Sequence, residues 1–213
     1  MRKCAIVIIF VFFSVSVFSQ YKYRDSNRIG ITAGINHFSL FTKSFQTKAE
    51  LGWNAGLSIR GNFYNNWDMI YAIQFSENNF SVATTKVPLL TQQVNYKLAS
   101  GQVSLLASYK ISDSHLSIEV GPIIQLNGKL AIDSDKANNL ISGTTLLAKD
   151  IQDISKFNVY PMVGITFGVV HFRANISYQY GINNMLGNLN KQNLGYNFKG
   201  NPGILNGNLI IYL

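Results

Sequence analysis

An alternation of apolar and polar residues recurs along the chain and constrains the fold more than any other feature. Between Leu51 and Tyr64 the odd positions are apolar or glycine, and the even positions up to 62 are glycine or polar. Successive side chains of a strand point to opposite faces, so this segment predicts a strand with one apolar and one polar face. The same period appears in eight segments, which begin near Ile29, Leu51, Trp67, Gln102, Leu116, Val159, Phe172 and Leu205.

Short and long links alternate between the eight predicted strands. The short links are 65–66, 112–114 and 170–171, and the long links are roughly 42–50, 77–93, 128–157 and 183–202. Short turns at one rim and long loops at the other are typical of bacterial transmembrane barrels. We therefore expect an all-β fold, an eight-stranded antiparallel transmembrane up-and-down β-barrel. Both termini would lie in the periplasm, and the long loops would be extracellular.

Composition favours a membrane barrel over the alternative, a soluble barrel of the same period. Only 13% of the residues are charged, about half the fraction usual in soluble domains. The polar face is mostly Gly, Ser, Asn, Thr and Gln, which suit a crowded interior better than a wet surface. Aromatic residues also cluster near both strand ends, which predicts two girdles at the membrane interfaces. They are Phe63, Trp67, Tyr109, Phe167 and Phe172 toward the turns, and Phe38, Trp53, Tyr178 and Tyr180 toward the loops.

The N-terminus predicts export. Arg2 and Lys3 precede an apolar stretch over 5–18, and Ser19 offers a small residue for cleavage. That stretch is shorter than the ~20 residues of a membrane-spanning helix, although an uncleaved anchor is the alternative. We expect a signal peptide over 1–19 and a barrel domain over 20–213. The single cysteine, Cys4, leaves with the signal, so neither a disulfide nor a thiolate metal site is expected.

Two glycine-rich segments carry a family resemblance. They read Gly-Ile-Thr-Ala-Gly-Ile-Asn at 30–36 and Gly-Trp-Asn-Ala-Gly-Leu at 52–57. With the signal peptide and the eight strands, they resemble the PorT-like outer-membrane β-barrel proteins of Bacteroidetes. The resemblance implies an outer-membrane location and, for the family's namesake, a role in protein secretion. It implies no set of functional residues. The chain departs from such barrels at its end, where Tyr212 is penultimate and Leu213 is last.

Charged residues on the polar face would point into the lumen, which eight strands leave only just filled by side chains. These residues are Arg60, Asp68, Lys110, Glu119 and Arg173. One interpretation is a gate or a narrow polar pore that opens when a pair breaks. The other is that buried charges pair because nothing else solvates them. The second interpretation fits a filled lumen better.

An enzyme site is a weaker alternative. His37 and Ser39 are two residues apart and would share a strand face, and Glu50 lies across the first predicted loop. Such a trio could act as a lipid or ester hydrolase, like the lipid A deacylases among small barrels. Because Ser, His and Glu occur together by chance in most chains, we expect a non-enzymatic protein. No dinucleotide, phosphate-loop, zinc or calcium motif is present, so no cofactor or metal is expected.

The expected partners are those of the cell envelope. They are outer-membrane lipid, the barrel-insertion machinery and lipopolysaccharide, whose phosphates Lys43, Lys48, Lys191 and Lys199 would attract at the loop rim. The alternative is that these lysines only solvate the loops. The scattered cations do not suggest nucleic acid.

The third long link, 128–157, is long enough to form its own hairpin or helix, and long loops are often functional. It mixes acidic and basic residues with apolar ones: Asp133, Asp135, Lys136, Lys149, Asp150 and Asp153 with Leu140, Ile141, Leu146, Leu147 and Ile151. We therefore expect a surface binding or scaffold barrel, or an accessory of an envelope secretion or assembly complex that docks through 128–157. A narrow passive pore for small solutes is the main alternative.

Overall fold

The computed structural model describes residues 27–86, 90–112, 115–192, 195 and 197–213, so the signal peptide expected over 1–19 lies outside the described residues. The strands are β1 Arg28–Thr42, β2 Thr47–Tyr64, β3 Trp67–Lys86, β4 Leu90–Ser112, β5 Leu116–Ala131, β6 Leu140–Ile141, β7 Phe157–Gly168, β8 Phe172–Tyr180 and β9 Gly200–Tyr212. Short 3-10 turns cover Ser134–Lys136, Ala148–Ile151 and Leu189–Gln192. None of the helical turns in the described ranges has the length and hydropathy of a membrane span.

Strand pairing closes the sheet into a ring. Each of β1, β2, β3, β4, β5, β7, β8 and β9 pairs antiparallel with the next in that order, and β9 pairs back with β1 from Tyr212 opposite Gly30 to Gly200 opposite Thr42. The short β6 stands outside the ring and pairs with the end of β3 at Thr84 and Thr85. The predicted eight-stranded antiparallel up-and-down barrel is therefore confirmed.

The alternation places an apolar band on the outside of the ring. On β3, Trp67, Tyr71 and Phe75 are exposed outward, whereas Asp68 and Ile70 are buried inside. The nine residues from Trp67 to Phe75 extend about 27 Å along the strand, and a tilted strand needs about 9–11 residues to cross a membrane. The outer wall therefore has the dimensions of a lipid-facing surface.

Eight of the nine predicted girdle aromatics do face outward, but the placement of Phe38 in a girdle is wrong. Phe38 is fully buried inside the barrel. The reason is that alternate residues of a strand share a face. Thr32 and Asn36 are buried on the inner face of β1, so Phe38, two residues after Asn36, also points inward.

The short links lie where the sequence predicts them. Asn65 turns the chain between β2 and β3 with a φ of 48°, a conformation that asparagine tolerates better than most residues. The link between β7 and β8 covers 169–171. The predicted link at 112–114 is described only at Ser112, because Asp113 and Ser114 lie outside the described residues.

The long links are shorter than predicted, and the loop expected over 77–93 is wrong. There β3 runs on to Lys86 and β4 begins at Leu90, with Phe80 opposite Tyr96 and Val82 opposite Val94. Likewise β2 begins at Thr47 and β9 at Gly200, inside the predicted loops 42–50 and 183–202. The outward apolar alternation ends near Phe75, which hid this extension from the sequence pattern. Beyond it the apolar residues lie on the inner face instead.

Candidate functional site

The interior of the barrel is stacked in layers, and the layer nearest the short turns contains the charged groups. We call this end the turn end and the opposite end the loop end. Arg60 on β2 forms ion pairs with Asp68 at 3.1 Å and with Glu119, and it also donates to Ser108 Oγ at 2.9 Å. Its Nε donates to the hydroxyl of Tyr212 at 3.3 Å. One guanidinium thus links five strands across the lumen.

The remaining charged residues complete this charge layer. Lys110 Nζ lies 3.4 Å from Asp68 Oδ1, and Asn175 Nδ2 donates to Glu119 Oε2 at 3.1 Å. Arg173 lies over the Tyr212 ring at 5.8 Å. The five charged residues expected in the lumen are each at least 95% buried. The structure joins four of them in one ion-pair network and places Arg173 beside it through Tyr212.

Side-chain amides form the next layer toward the loop end. Gln102 donates to Gln125 at 2.6 Å and to Gln179 at 3.2 Å, and Gln125 donates to Asn127 in turn. A cavity of about 50 Å³ lies against the charge layer and is lined by Thr32, Ser58, Glu119, Asn175, Asn208 and Tyr212 among others. This volume is large enough for a few water molecules.

The loop end is closed by an apolar core, which we call the cap. Its side chains come partly from the ends of the barrel strands: Phe38, Leu40, Phe80, Val82, Val94, Tyr96 and Leu98. The rest come from the links between strands: Phe45, Ile141, Leu146, Ala148, Ile151, Ile154, Met185, Leu186, Leu189 and Phe198. Because these links bury apolar side chains over the lumen, they form a folded lid rather than solvated loops.

Aromatic stacking anchors the cap to the barrel wall. The rings of Phe80 and Tyr96 stack at 5.2 Å, and Phe38 lies 5.7 Å from Phe80. Tyr96 also donates its hydroxyl to the carbonyl of Ala148 at 2.8 Å. Burial raises the pKa of the Tyr96 hydroxyl above its usual range, and nearby Asp150 raises it further. The hydroxyl therefore stays protonated and can keep donating at physiological pH.

The cap segments are also tied to each other through the backbone. Ser155 N donates to the carbonyl of Met185 at 2.8 Å, which joins the third link to the fourth. Asn188 Nδ2 donates to the carbonyl of Ile154 at 2.9 Å. On the other side Ser142 N donates to the carbonyl of Ala83 at 3.0 Å, which seats β6 against the end of β3. The segment expected to form its own hairpin or helix contains a small hairpin, in which Leu140 bridges Leu147 antiparallel and Ile141 N donates to the carbonyl of Leu146 at 2.8 Å. The segment also forms two 3-10 turns, and its apolar side chains join the shared core.

The residues of the hydrolase alternative lie on different faces. His37 is exposed on the outer wall, and Ser39 shares that face. Glu50 is opposite the inward Phe38, accepts from Ser81 at 3.1 Å and pairs with Lys48 at 3.3 Å. The structure therefore does not bring Glu50 to His37 in the way a catalytic trio requires.

Sequence reasoning missed several interior residues. Tyr212 was noted only as an aromatic near the chain end, yet it bridges Arg60 and Arg173. The alternation along β9 predicts that Tyr212 points inward, because Leu209, Ile211 and Leu213 face outward and the even-numbered positions between them therefore face the lumen. The cap was missed because contacts between distant links leave no period in the sequence.

Comparisons with known proteins agree with this architecture. The family model described as "Outer membrane protein beta-barrel domain" matches residues 12–187. No curated protein matches the chain.

Solved structures with a similar chain trace include three outer-membrane proteins. The attachment invasion locus protein Ail of Yersinia pestis, in complex with the heparin analogue sucrose octasulfate, is 14% identical, with a TM-score of 0.49 over 88% of this chain and 99% of that chain. Neisserial surface protein A is 13% identical, with a TM-score of 0.48 over 86% and 96%. OprG of Pseudomonas aeruginosa is 11% identical, with a TM-score of 0.47 over 89% and 97%. Since the family model spans most of the chain, this protein belongs to the outer membrane protein beta-barrel domain family.

Proposed function

We propose that this protein is a non-conducting, non-enzymatic outer-membrane barrel that presents its cap outside the cell as a binding surface. The observation that carries the proposal is the cap itself, in which links from three parts of the chain share one apolar core. Folded links hold their exposed side chains in fixed positions, and a fixed surface loses less entropy on binding than mobile loops do. The periplasmic termini and extracellular loop end belong to this proposal.

Within this proposal the partner is a component of an envelope secretion or assembly complex. The resemblance of 30–36 and 52–57 to PorT-like proteins supports this role. The docking surface is the exposed side of the third link, where Asp135, Leu140 and Lys149 are exposed above the buried Ile141 and Ile151. An apolar side chain with charged groups around it fits the apolar core and polar rim of protein interfaces.

A crosslinked pull-down tests the binding role. C-terminally tagged protein is isolated from detergent-solubilised outer membrane, and the co-purifying envelope proteins are quantified. We expect one stoichiometric partner that is lost in the variant Asp135→Ser/Leu140→Ser, which leaves the cap core intact. The matched control Lys191→Ser/Gln192→Ser changes two exposed residues of the fourth link and should retain the partner. Recovery of the barrel alone, from wild type and both variants, would contradict the binding role.

Single-channel recording tests the closed lumen and the alternative of a narrow pore. The charge layer, the amide layer and the cap each obstruct the axis, so we expect the purified barrel to be silent in a planar bilayer. Replacing 133–154 by a short Gly-Ser turn removes much of the cap but leaves the charge and amide layers, and this variant should remain silent as well. Steady conductance of the wild type would instead establish the pore.

A further inference from the structure

A groove on the outer wall suggests a second binding site, separate from the cap. Its volume is about 430 Å³, and it lies across β2, β3, β4 and β5. Trp53 and Phe75 form one side and Leu126 forms the other, all three at least half exposed. Ala99, Gly101 and Gly128 contribute only small groups between them. The volume falls within the range of small-molecule sites, which are mostly apolar.

The sequence creates this groove in two ways. Gly101 pairs with Phe75 on one side and Leu126 on the other, so a residue without a side chain separates two large ones. Close by, the pairing of β4 with β5 shifts register between Leu98 and Ser100, which leaves an extra residue on β5. Such a bulge bends a strand and re-aims its side chains. As a result, both Gly128 and Lys129 are exposed.

Three lysines surround the loop-end side of the groove. Lys97 on β4, Lys129 on β5 and Lys156 just before β7 are all exposed. Lys97 is opposite Ala131, and the carbonyl of Lys156 accepts from Asn127 N at 2.8 Å. Strand spacing and rise therefore place Lys129 roughly 8 Å from each of the other two, Cα to Cα.

These lysines have no charge partner in the described part of the chain, since none of their ammonium groups makes an ion pair or hydrogen bond with a described residue. Glu77 lines the groove and accepts from Asn79 Nδ2 at 3.4 Å. The site thus combines an apolar groove with a net positive edge. It lies where the apolar band ends, at the level at which lipid headgroups meet a barrel wall.

We propose that this groove binds lipid A, with an acyl chain against Trp53, Phe75 and Leu126 and the phosphates at Lys97, Lys129 and Lys156. Lipid A joins the two required chemistries, because it carries both acyl chains and phosphate groups. Glycerophospholipids of the inner leaflet would meet the turn end of the barrel instead. The inference rests on the loop-end-out orientation proposed above, but it does not depend on a protein partner at the cap.

Native mass spectrometry of the full mature barrel in detergent tests the proposal. The protein is titrated with bisphosphorylated lipid A, dephosphorylated lipid A, phosphatidylglycerol or phosphatidylethanolamine, and inorganic phosphate serves as a competitor. We expect one bound bisphosphorylated lipid A that survives mild activation, and weaker retention of the other lipids. Retention of phosphatidylglycerol equal to or stronger than that of lipid A would overturn the assignment, as would displacement by inorganic phosphate alone.

Matched variants locate the site. Lys97→Gln, Lys129→Gln and Lys156→Gln should each weaken lipid A binding by roughly fivefold, the usual effect of one cation near a membrane surface. The groove triple variant combines these three substitutions. The control Lys43→Gln/Lys191→Gln/Lys199→Gln removes three of the rim lysines that the sequence offers for phosphate attraction, and it should leave binding unchanged because the groove proposal places the phosphates at Lys97, Lys129 and Lys156 instead. Equal loss in the control triple variant and in the groove triple variant would indicate general charge attraction and overturn the proposal.

A groove-filling variant tests the acyl contact without changing charge. At Gly101 an added Cβ would meet only ring carbons of Phe75, the nearest at 3.8 Å, which is an ordinary van der Waals contact. The side chain of Gly101→Leu would extend from there into the groove. At Gly207, on β9 across the barrel, a Cβ would meet nothing within 4 Å, and Gly207→Leu is the control. Only Gly101→Leu should weaken retention of lipid A. Heat-shifted gel mobility shows that each variant is folded, and unchanged retention in folded Gly101→Leu would contradict the groove.

Discussion

Arg60 lies at the centre of the charge layer. It forms ion pairs with both Asp68 and Glu119. The variant Arg60→Met keeps a long side chain but removes the cation that pairs with the buried Glu119. We expect a loss of about 3–5 kcal/mol in the free energy of unfolding, measured by urea titration in detergent with the fluorescence of Trp53 and Trp67.

The control for Arg60 separates charge from shape. In Arg60→Met/Glu119→Gln, the carboxylate of Glu119 becomes a neutral amide of similar size, while Asp68 keeps Lys110 as its ion-pair partner. This double variant should recover most of the lost stability, because breaking a buried ion pair costs far more than replacing both of its members. If the double variant is no more stable than the single one, packing rather than charge accounts for the loss.

The β3–β4 hairpin is the element that couples the barrel to the cap. Its arms continue about ten residues past the apolar band, and Phe80 stacks between Phe38 and Tyr96 at their junction. Phe80→Ala should therefore cost about 3–5 kcal/mol and loosen the links packed above it. Hydrogen exchange should rise at the amides of Ile141 and Ala148, whose backbone bonds hold the third link together.

The control for Phe80→Ala is Phe75→Ala on the same strand. Phe75 faces outward and is 65% exposed, so its removal leaves no interior cavity, and exchange in the cap should stay at the wild-type level. Equal exchange in both variants would show that the cap is stable without the hairpin.

The closed ring of strands depends on the close approach of neighbouring strand backbones. At Gly121, on the inner face of β5, an added Cβ would lie 2.2 Å from the carbonyl oxygen of Leu105. Gly121→Ala must therefore move one strand against its neighbour, and we expect a loss of about 1–3 kcal/mol. Gly207→Ala enters open space and should be neutral in the same urea titration. If Gly121→Ala leaves the free energy of unfolding unchanged, the strands of the ring can move apart at this position with little loss of stability.

How far the sequence predicts this molecule depends on the range of the contacts. Alternation along 51–64 and 116–126 reveals which residues face inward, so the interior position of Arg60 and Glu119 is predictable from parity alone. The pairing of Arg60 with Glu119 joins strands that are not adjacent, and it follows only once the ring closes. The cap is less predictable still, because the hydrogen bond from Ser155 N to the carbonyl of Met185 joins two irregular links and follows no period.

The buried links also change how this protein can evolve. Loops that only meet water can change in sequence at little cost in stability. Here Ile141, Ile151 and Met185 are fully buried. A polar replacement at any of them would lower the stability of the fold and not only alter the surface. Variation on this face is therefore confined to exposed positions such as Asp135, Lys149 and Lys191. The loop end can change its chemistry one side chain at a time while its shape is conserved.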